Sequence, residues 1–593
     1  MQLPDSVADS ALAKLFTDDA MARDIVWFSL PGGQTLCEAG ETADQLFFLR
    51  TGRLGAIRRE EGQEPQFLGV IRPGEPAGEM AMIAGTRHTA TVVALRDSEV
   101  LAMPRAVFLK AAEQNAAVMI ELARLMMLRA RQTEIHTPIG EPSVFGFIGV
   151  TQEVKARVLV EALAGAIEVL GYSVTTVARE AEHAPTEWFS NVEQAHDFVL
   201  YAAEADQTHW KDIVGRQVDR LFRIGRGDRT APDKIDPITH SPLESHRFVD
   251  LVLQQPADRV RPTGSEAWLE ALRPARLFHL RDRHRPDVER LARTLTGQSI
   301  GLVLSGGGAR AYAHIGAIRA LHTAGVPIDF VGGVSMGAII AAAVAMGWDD
   351  AEIDRRIRKA FVETSPVDDI AIPLIALSQG EKVRARLKEH FGDQQIGDLW
   401  LPFFCVSSNL TSGVYQLHQR GGLRHALRAS IAIPGLLPPV TEGDNVLVDG
   451  AVMKNFPADI MRATHLGPIV GVDVTLGRNI TAADVARPET IWRWILSGQW
   501  RNGPPIVSLL LRAGTVSTAR DLAAAREASD VLVTPRMDNV EIRDWDAYEP
   551  AVAAGELATQ QALAKLKRPV CDLRRRLSLA EQALDVPISA SPG

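Results

Sequence analysis

Gly301-Leu-Val-Leu-Ser-Gly-Gly-Gly-Ala-Arg-Ala-Tyr-Ala-His-Ile-Gly316 and, one helical run later, Phe330-Val-Gly-Gly-Val-Ser-Met-Gly-Ala-Ile-Ile-Ala-Ala-Ala343 decide how this chain folds. Ile300 to Leu304 is a short apolar run suited to a buried parallel strand. Gly306, Gly307 and Gly308 break it, and with no Cβ to block approach their backbone N–H groups can face a ligand. Ala311 to His322 resumes at helical spacing, Phe330 and Val331 begin a second strand, and Ala338 to Met346 is a helix of small residues. Strand, sharp turn and helix, with Ser335 at the apex of Gly333-Val-Ser-Met-Gly337, make a nucleophile-elbow hypothesis. The rival reading of Gly306 to Ala311 is a dinucleotide fingerprint in its looser form.

Far downstream, Asn445-Val-Leu-Val-Asp449-Gly450-Ala451 is a strand running into a tight turn, with an acid at the strand's end. The glycine-rich loop, the serine elbow and this Asp-Gly-Ala, in that order, resemble the patatin-like phospholipase family over roughly residues 298 to 465. Ser430-Ile-Ala-Ile-Pro434 and Asn455-Phe456-Pro457 add to the resemblance, and Ala311 stands where the family's loop usually ends in glycine. The resemblance implies an α/β hydrolase domain that works by a Ser–Asp dyad without histidine, Ser335 as nucleophile and Asp449 as base.

The chemistry stands beside the family. A serine hydroxyl is a weak nucleophile and needs a base within hydrogen-bond reach. An aspartate near its ordinary pKa of about 3.9 is a poor base, so Asp449 must gain basicity by burial. The developing oxyanion needs preorganised donors, each worth about 3 kcal/mol of barrier. The amides of Gly306, Gly307 and Gly308 are the candidates, with Arg310 adding positive field. His314, on the helix after the loop, is the alternative base of a triad.

Length bounds the rest: 593 residues make room for three or four domains. A net charge of −9 argues against nucleic acid as a partner. Cys37, Cys405 and Cys571 lie far apart, which suggests a reducing compartment and offers no metal-ligand spacing, so no metal and no cofactor are expected. The first residues lack a basic region and an apolar core, and the longest apolar stretch, 331 to 346, is too short and glycine-broken for a membrane span. The expectation is a cytoplasmic protein, peripheral at most at the inner face of a membrane.

Residues 1–135 read as a β-roll with flanking helices. A helical stretch from Ala11 to Asp24 precedes short runs at Val26, Gln45, Gly52, Gln66, Ala90 and Glu99, and Ala106 to Gln132 closes as helices. With Gly78-Glu79-Met80-Ala81 and Arg87-His88-Thr89-Ala90-Thr91, this part resembles the cyclic nucleotide-binding domain family. The resemblance implies that Gly78 and Glu79 meet the ribose. It places His88 at the cyclic phosphate, where the family has arginine, and Arg87 where it has proline. Arg87 replaces the missing arginine only if the turn shifts by one residue. Nucleotide binding and a purely structural or docking role both stay open, as do lid and core roles for the helix at 116–132.

Residues 143–295 alternate strands and helices, as an open parallel sheet does. Thr151-Gln152-Glu153 follows the first strand in place of a phosphate loop, so this module reads as a degenerate NTPase-like fold, a spacer or an interaction platform. Residues 466–570 complete the catalytic domain; within them Trp492, Trp494 and Trp500 either touch lipid headgroups or pack over the site. Residues 571–593, with Arg574-Arg575-Arg576, read as a solvated tail. The domain order is similar to that of neuropathy target esterase. The whole chain reads as a multidomain α/β serine esterase acting on phospholipid or lysophospholipid at a membrane surface. The alternative is a cyclic-nucleotide-responsive regulatory protein whose hydrolase domain mainly binds lipid.

Overall fold

The computed structural model describes residues 25–58, 66–114, 142–233, 249–363, 376–475 except 466, and 519–578 except 538, 539 and 543, with scattered residues elsewhere. The stretches proposed for the helix at 11–24, most of the helix at 116–132 and the tryptophan segment at 491–500 lie outside the described residues.

Three sheets organise the chain. The first holds β1 (Val26–Leu30), β2 (Thr35–Cys37), β3 (Gln45–Arg58), β4 (Gln66–Ile71), β5 (Pro76–Ala77) and β6 (Thr91–Pro104), with every pairing antiparallel. The sequence divides β3 and β6 into two runs each; register shifts around Thr51 and Arg53 let single strands bend through these points.

The second sheet is parallel throughout, in the order β12-β11-β10-β7-β9-β8. Its strands are β7 (Val144–Gly149), β8 (Val174–Val177), β9 (Phe198–Ala203), β10 (Arg220–Arg226), β11 (Val249–Gln255) and β12 (Leu277–Arg281). At the helix Ala156–Val169, where a phosphate loop would present its amides, the N–H groups of Ala156 and Arg157 both donate to the Glu204 carboxylate at 3.2 Å. An internal carboxylate thus occupies the helix N-terminus that favours an anion.

The third sheet runs β17-β18-β15-β14-β13-β19-β20, with β16 on the far edge of β15. The strands are β13 (Gly301–Leu304), β14 (Phe330–Val334), β15 (Phe403–Asn409), β16 (Val414–His418), β17 (Val440–Glu442), β18 (Asn445–Asp449), β19 (Ile469–Val472) and β20 (Val531–Val533). β13 and β14 are fully buried, as their unbroken apolar runs require.

The second sheet is not a spacer. One continuous apolar core joins Phe147, Phe222, Phe278 and Leu291 to Val303, Phe330, Val334 and Phe404 of the third sheet and to Phe456 in the loop after β18. Phe278 meets Phe330 edge-on at 6.0 Å between ring centres. Asp398 caps the helix Ser265–Leu272 across the same junction, accepting from the Ser265 amide at 3.0 Å and hydroxyl at 2.7 Å. The first sheet docks on the second in turn: Ile57, Val93 and Leu95 share a core with Phe189, Tyr201 and Trp210. Beside them Arg53 pairs with Asp219 at 3.1 Å and Arg96 with Glu193 at 2.8 Å, all four side chains largely buried.

The basic run at 574–576 is not a solvated tail. Arg574 pairs with Asp530, Arg575 with Glu581 while lying over the Tyr172 ring, and Arg576 lies over Phe198. Partner carboxylates and ring faces hold guanidinium groups that sequence alone leaves in water.

Candidate active site

Val334 ends β14 and Ser335 opens the helix Met336–Ala345. Ser335 has φ 54° and ψ −130°, a region that side-chain-bearing residues enter only under strain, and this lifts its hydroxyl off the strand end. The turn is possible because Gly337 is a glycine: a Cβ there would meet the Ser305 carbonyl oxygen at 2.4 Å.

Asp449 reaches Ser335 through strand register. On one edge of β15, Val334 of β14 faces Val406, and Asp449 of β18 faces the next residue, Ser407. β16 covers the opposite edge, since Ser407 also faces Gln416. β14 and β18 therefore meet end to end, and their last residues deliver the two side chains to one point.

The Ser335 hydroxyl donates to Asp449 Oδ2 at 2.6 Å, and the Ala451 amide donates to Asp449 Oδ1 at 2.8 Å. Both residues are buried. Burial pushes the Asp449 carboxyl up to about 7, against the opposing pull of its hydrogen bonds from Ser335 and Ala451. The Ser335 amide donates to Ser430 Oγ at 2.9 Å, and that hydroxyl donates to the Val406 carbonyl at 2.7 Å.

The glycine-rich loop is pinned from several sides. The Gly306 amide donates to the Asn455 carbonyl at 3.2 Å, so it is committed. The amides of Gly307 and Gly308 donate to nothing among the described residues. Gly308 has φ +57°, and a Cβ on it would lie 2.2 Å from the Ile542 carbonyl oxygen, so this glycine serves close packing of the chain on itself.

Arg310 anchors the loop. Its guanidinium donates to the carbonyls of Val474 at 3.0 Å and of Met537 and Val540 at 2.7 Å, buried away from solvent. These bonds fasten the loop to the strand ends and aim the guanidinium at backbone carbonyls. His314 is likewise a fastener: its Nε2–H donates to the Ser305 carbonyl at 2.9 Å, and burial pulls the imidazole down to about 4. It stays neutral and holds the residue before the glycines.

Sequence reasoning quoted Ser430 and Asn455 but gave them no role. The Asn455 side-chain amide donates to Thr475 Oγ1 at 2.9 Å and, at 3.4 Å, to the Gly306 carbonyl. The Thr475 amide and hydroxyl both donate to Asp473 Oδ1, and Arg526 holds Asp473 Oδ2 at 2.6 and 2.8 Å. A polar chain thus runs from Arg526 to the glycine loop. No local pattern signals it, because its members are scattered from 306 to 526.

In the β-roll, Gly78, Glu79 and His88 do come together. Glu79 and His88 are buried, and the His88 ring lies 3.0 Å from where a Gly78 Cβ would sit. Arg87 turns outward and donates to the Gly40 carbonyl at 2.7 Å. Among the described residues, no group of His, Cys, Asp or Glu is arranged to hold a metal ion. No helix among them is long and apolar enough to cross a membrane.

Serine elbow, glycine loop and sheet order define the class: residues 302–462 match the patatin-like phospholipase family, and residues 27–115 match the cyclic nucleotide-binding domain. The chain belongs to the NTE, or neuropathy target esterase, family. It is 31% identical to an uncharacterised NTE family protein of Mycobacterium tuberculosis over 90% of this chain and 91% of that one. Neuropathy target esterase sws of Drosophila melanogaster is 26% identical over 85% of this chain and 40% of its own length. Lysophospholipase nte1 of Neosartorya fischeri is 24% identical over 91% of this chain and 42% of its own length.

Proposed function

We propose that this chain is a serine esterase that cleaves the acyl ester of a phospholipid or lysophospholipid. The observation that carries the reading is the 2.6 Å hydrogen bond from Ser335 Oγ to an Asp449 carboxylate whose pKa burial has moved to about 7. A base poised near neutrality, aimed at a hydroxyl on a strained turn, is what nucleophilic attack needs.

In this mechanism Ser335 Oγ attacks the ester carbonyl as its proton passes to Asp449 Oδ2. The carbonyl oxygen gains negative charge, and the amides of Gly307 and Gly308, which donate to nothing among the described residues, are the donors that stabilise it. The C–O bond to the leaving alcohol breaks, and Asp449 returns the proton to that oxygen. Water then attacks the acyl-serine carbonyl as Asp449 takes its proton, the bond from the acyl carbon to Ser335 Oγ breaks, Asp449 returns the proton to Oγ, and the fatty acid leaves with the serine restored. Neither half-reaction calls for a metal. Relatives named as an esterase and a lysophospholipase support the choice of substrate class.

The alternative, a regulatory protein whose hydrolase domain only binds lipid, gives no reason for a buried serine–aspartate pair. The capped helix at Ala156 supports reading the second sheet as a module that binds no nucleoside phosphate. Labelling by a fluorophosphonate probe, followed by fatty-acid release from lysophosphatidylcholine, tests the enzyme reading. Absence of labelling in the parent, or labelling that persists in Ser335→Ala, sinks it.

A further inference from the structure

The catalytic part of the chain exposes few large apolar side chains, and those few are not scattered. Among the described residues from 298 to 570 they are Leu410, Val414, Tyr415 and Leu557. Three of the four sit at one hairpin end, the tip 410–415, with Leu410 on the turn after β15 and Val414 and Tyr415 as the first two residues of β16. Leu410 is 52% exposed, Val414 59% and Tyr415 43%. A single exposed Val or Leu is ordinary on a protein surface; a cluster on one projecting turn asks for a partner.

The position of the tip says what that partner is. Ser407 lies opposite Asp449, and β15 continues past it to Asn409. At about 3.3 Å per residue, Leu410 stands roughly 10 Å beyond the Ser335–Asp449 pair, on the same edge of the sheet. Tyr415 lies against Lys454, whose ammonium is 5.9 Å from the ring centre and belongs to the loop between Asp449 and Asn455. The apolar tip therefore lies just beyond the end of the sheet that holds the Ser335–Asp449 pair.

The tip is also built. The amides of Thr411 and Ser412 both donate to Asn409 Oδ1, at 2.9 and 3.2 Å. Thr411 Oγ1 accepts from the Val446 amide at 3.0 Å, and the Leu410 amide donates to the Val446 carbonyl at 2.9 Å. Val446 is in β18, the strand that carries Asp449. The exposed side chains are thus held in place before any partner arrives, and their anchor is the catalytic strand itself.

We propose that the tip 410–415 is the surface by which this enzyme seats on a lipid–water interface. This deepens the esterase reading and rests on it. The six residues carry no charge; Glu442 and Asp444 border them, and Lys454 beside Tyr415 is paired with Asp459, so the surroundings carry no net positive charge and suit zwitterionic phospholipid rather than anionic lipid. Leu and Val enter the acyl boundary, while Tyr, with its hydroxyl end, lies at headgroup level.

The test uses the full chain and phosphatidylcholine vesicles. The triple variant Leu410→Ser, Val414→Ser, Tyr415→Ser should lose at least tenfold in vesicle co-flotation and in hydrolysis of vesicle lipid. Its turnover of soluble p-nitrophenyl butyrate should stay within about twofold of the parent. As a variant that keeps the apolar surface, Val414→Trp should show a blue shift in emission on mixing with vesicles. Unchanged flotation of the triple variant together with no shift in Val414→Trp overturns the proposal. So does a parent that self-associates through this tip, with the triple variant monomeric but floating normally, since the occupant would then be a second copy. A parent that floats but turns over no soluble ester leaves the lipid surface standing and removes the esterase reading instead.

Discussion

Asp449 receives the Ser335 hydroxyl on one carboxylate oxygen at 2.6 Å and the Ala451 amide on the other at 2.8 Å, and no histidine stands between them. In the proposed mechanism this pair is the proton-transfer unit. Ser335→Ala should abolish hydrolysis of p-nitrophenyl butyrate with little change in Tm, and Asp449→Asn should cost nearly as much, because members of one unit are not additive. Substrate turnover and thermal melts on the two variants check this. His314→Ala, by contrast, should lower stability through the loop it fastens; a correctly folded His314→Ala as inactive as Ser335→Ala would replace the dyad with a triad.

The pH profile follows from the same burial. Asp449 works only when ionised, so kcat/KM should rise with pH and level off above an inflection near 7. The stability effect has the opposite direction. The folded protein holds the Asp449 proton more tightly than the unfolded chain does, whose value is 3.8, so stability falls as pH rises from that value through about 7. Asp449→Asn carries no such cost. Its Tm advantage over the parent should grow between pH 5 and pH 8, by an amount corresponding to a few kcal/mol. Equal Tm differences at both pH values would mean that the carboxylate is not desolvated.

Asn455 connects the glycine loop to Thr475 and, through Asp473, to Arg526. Asn455→Ala removes that link without touching Ser335 or Asp449. It should lower kcat by roughly ten- to a hundredfold with KM little changed, because a displaced oxyanion donor is felt only in the transition state. Steady-state kinetics on a soluble ester separate the two constants. A change confined to KM would assign Asn455 to substrate binding.

Arg96 is buried between Glu193, at 2.8 Å, and Asp219, at 3.7 Å, where the β-roll meets the parallel sheet. Burial pushes the Glu193 carboxyl up to about 6, against the pull of Arg96. Arg96→Met leaves two acids with less compensation and should destabilise the chain by about 3–5 kcal/mol. Arg96→Met combined with Glu193→Leu should recover part of that loss. Chemical denaturation of the three proteins measures it, and an unaffected single variant would show that the cluster contributes nothing to docking.

Arg87 points at the Gly40 carbonyl, and the His88 ring packs on Gly78. An imidazole cannot supply the bidentate charged pair that a cyclic phosphate requires, a loss on the order of 3 kcal/mol or about a hundredfold in affinity. Calorimetric titration of the full chain with cyclic AMP or cyclic GMP should show no micromolar binding, and esterase rate should not respond. A micromolar Kd that disappears in Arg87→Ala would mean that the turn re-registers on binding and that the β-roll senses nucleotide.

The strand from Gly301 to Leu304, the elbow at Ser335 and the β-roll strands at Val26–Leu30 and Gln66–Ile71 were legible from local pattern alone. Unbroken apolar runs, glycine placement and residue alternation act over a few residues, and a sequence displays them directly. Asp449 could be named from its motif. Its distance from Ser335 comes from the adjacent positions of Val406 and Ser407 on a strand that neither residue belongs to.

Other placements follow from packing in the same way. Arg310, next to the glycines in sequence, donates to carbonyls more than 160 residues away. The Gly306 amide is taken by Asn455, and the arginines at 574–576 find carboxylates and rings. The module that looked like a spacer shares its core with the catalytic sheet. Periodicity and glycine placement indicated which segments become strands and helices, and motif resemblance named the candidate site residues. Which polar group each donor meets, and which apolar face each sheet covers, is settled only by packing between segments far apart in the chain, where a buried donor or charge must find a partner wherever the fold brings one.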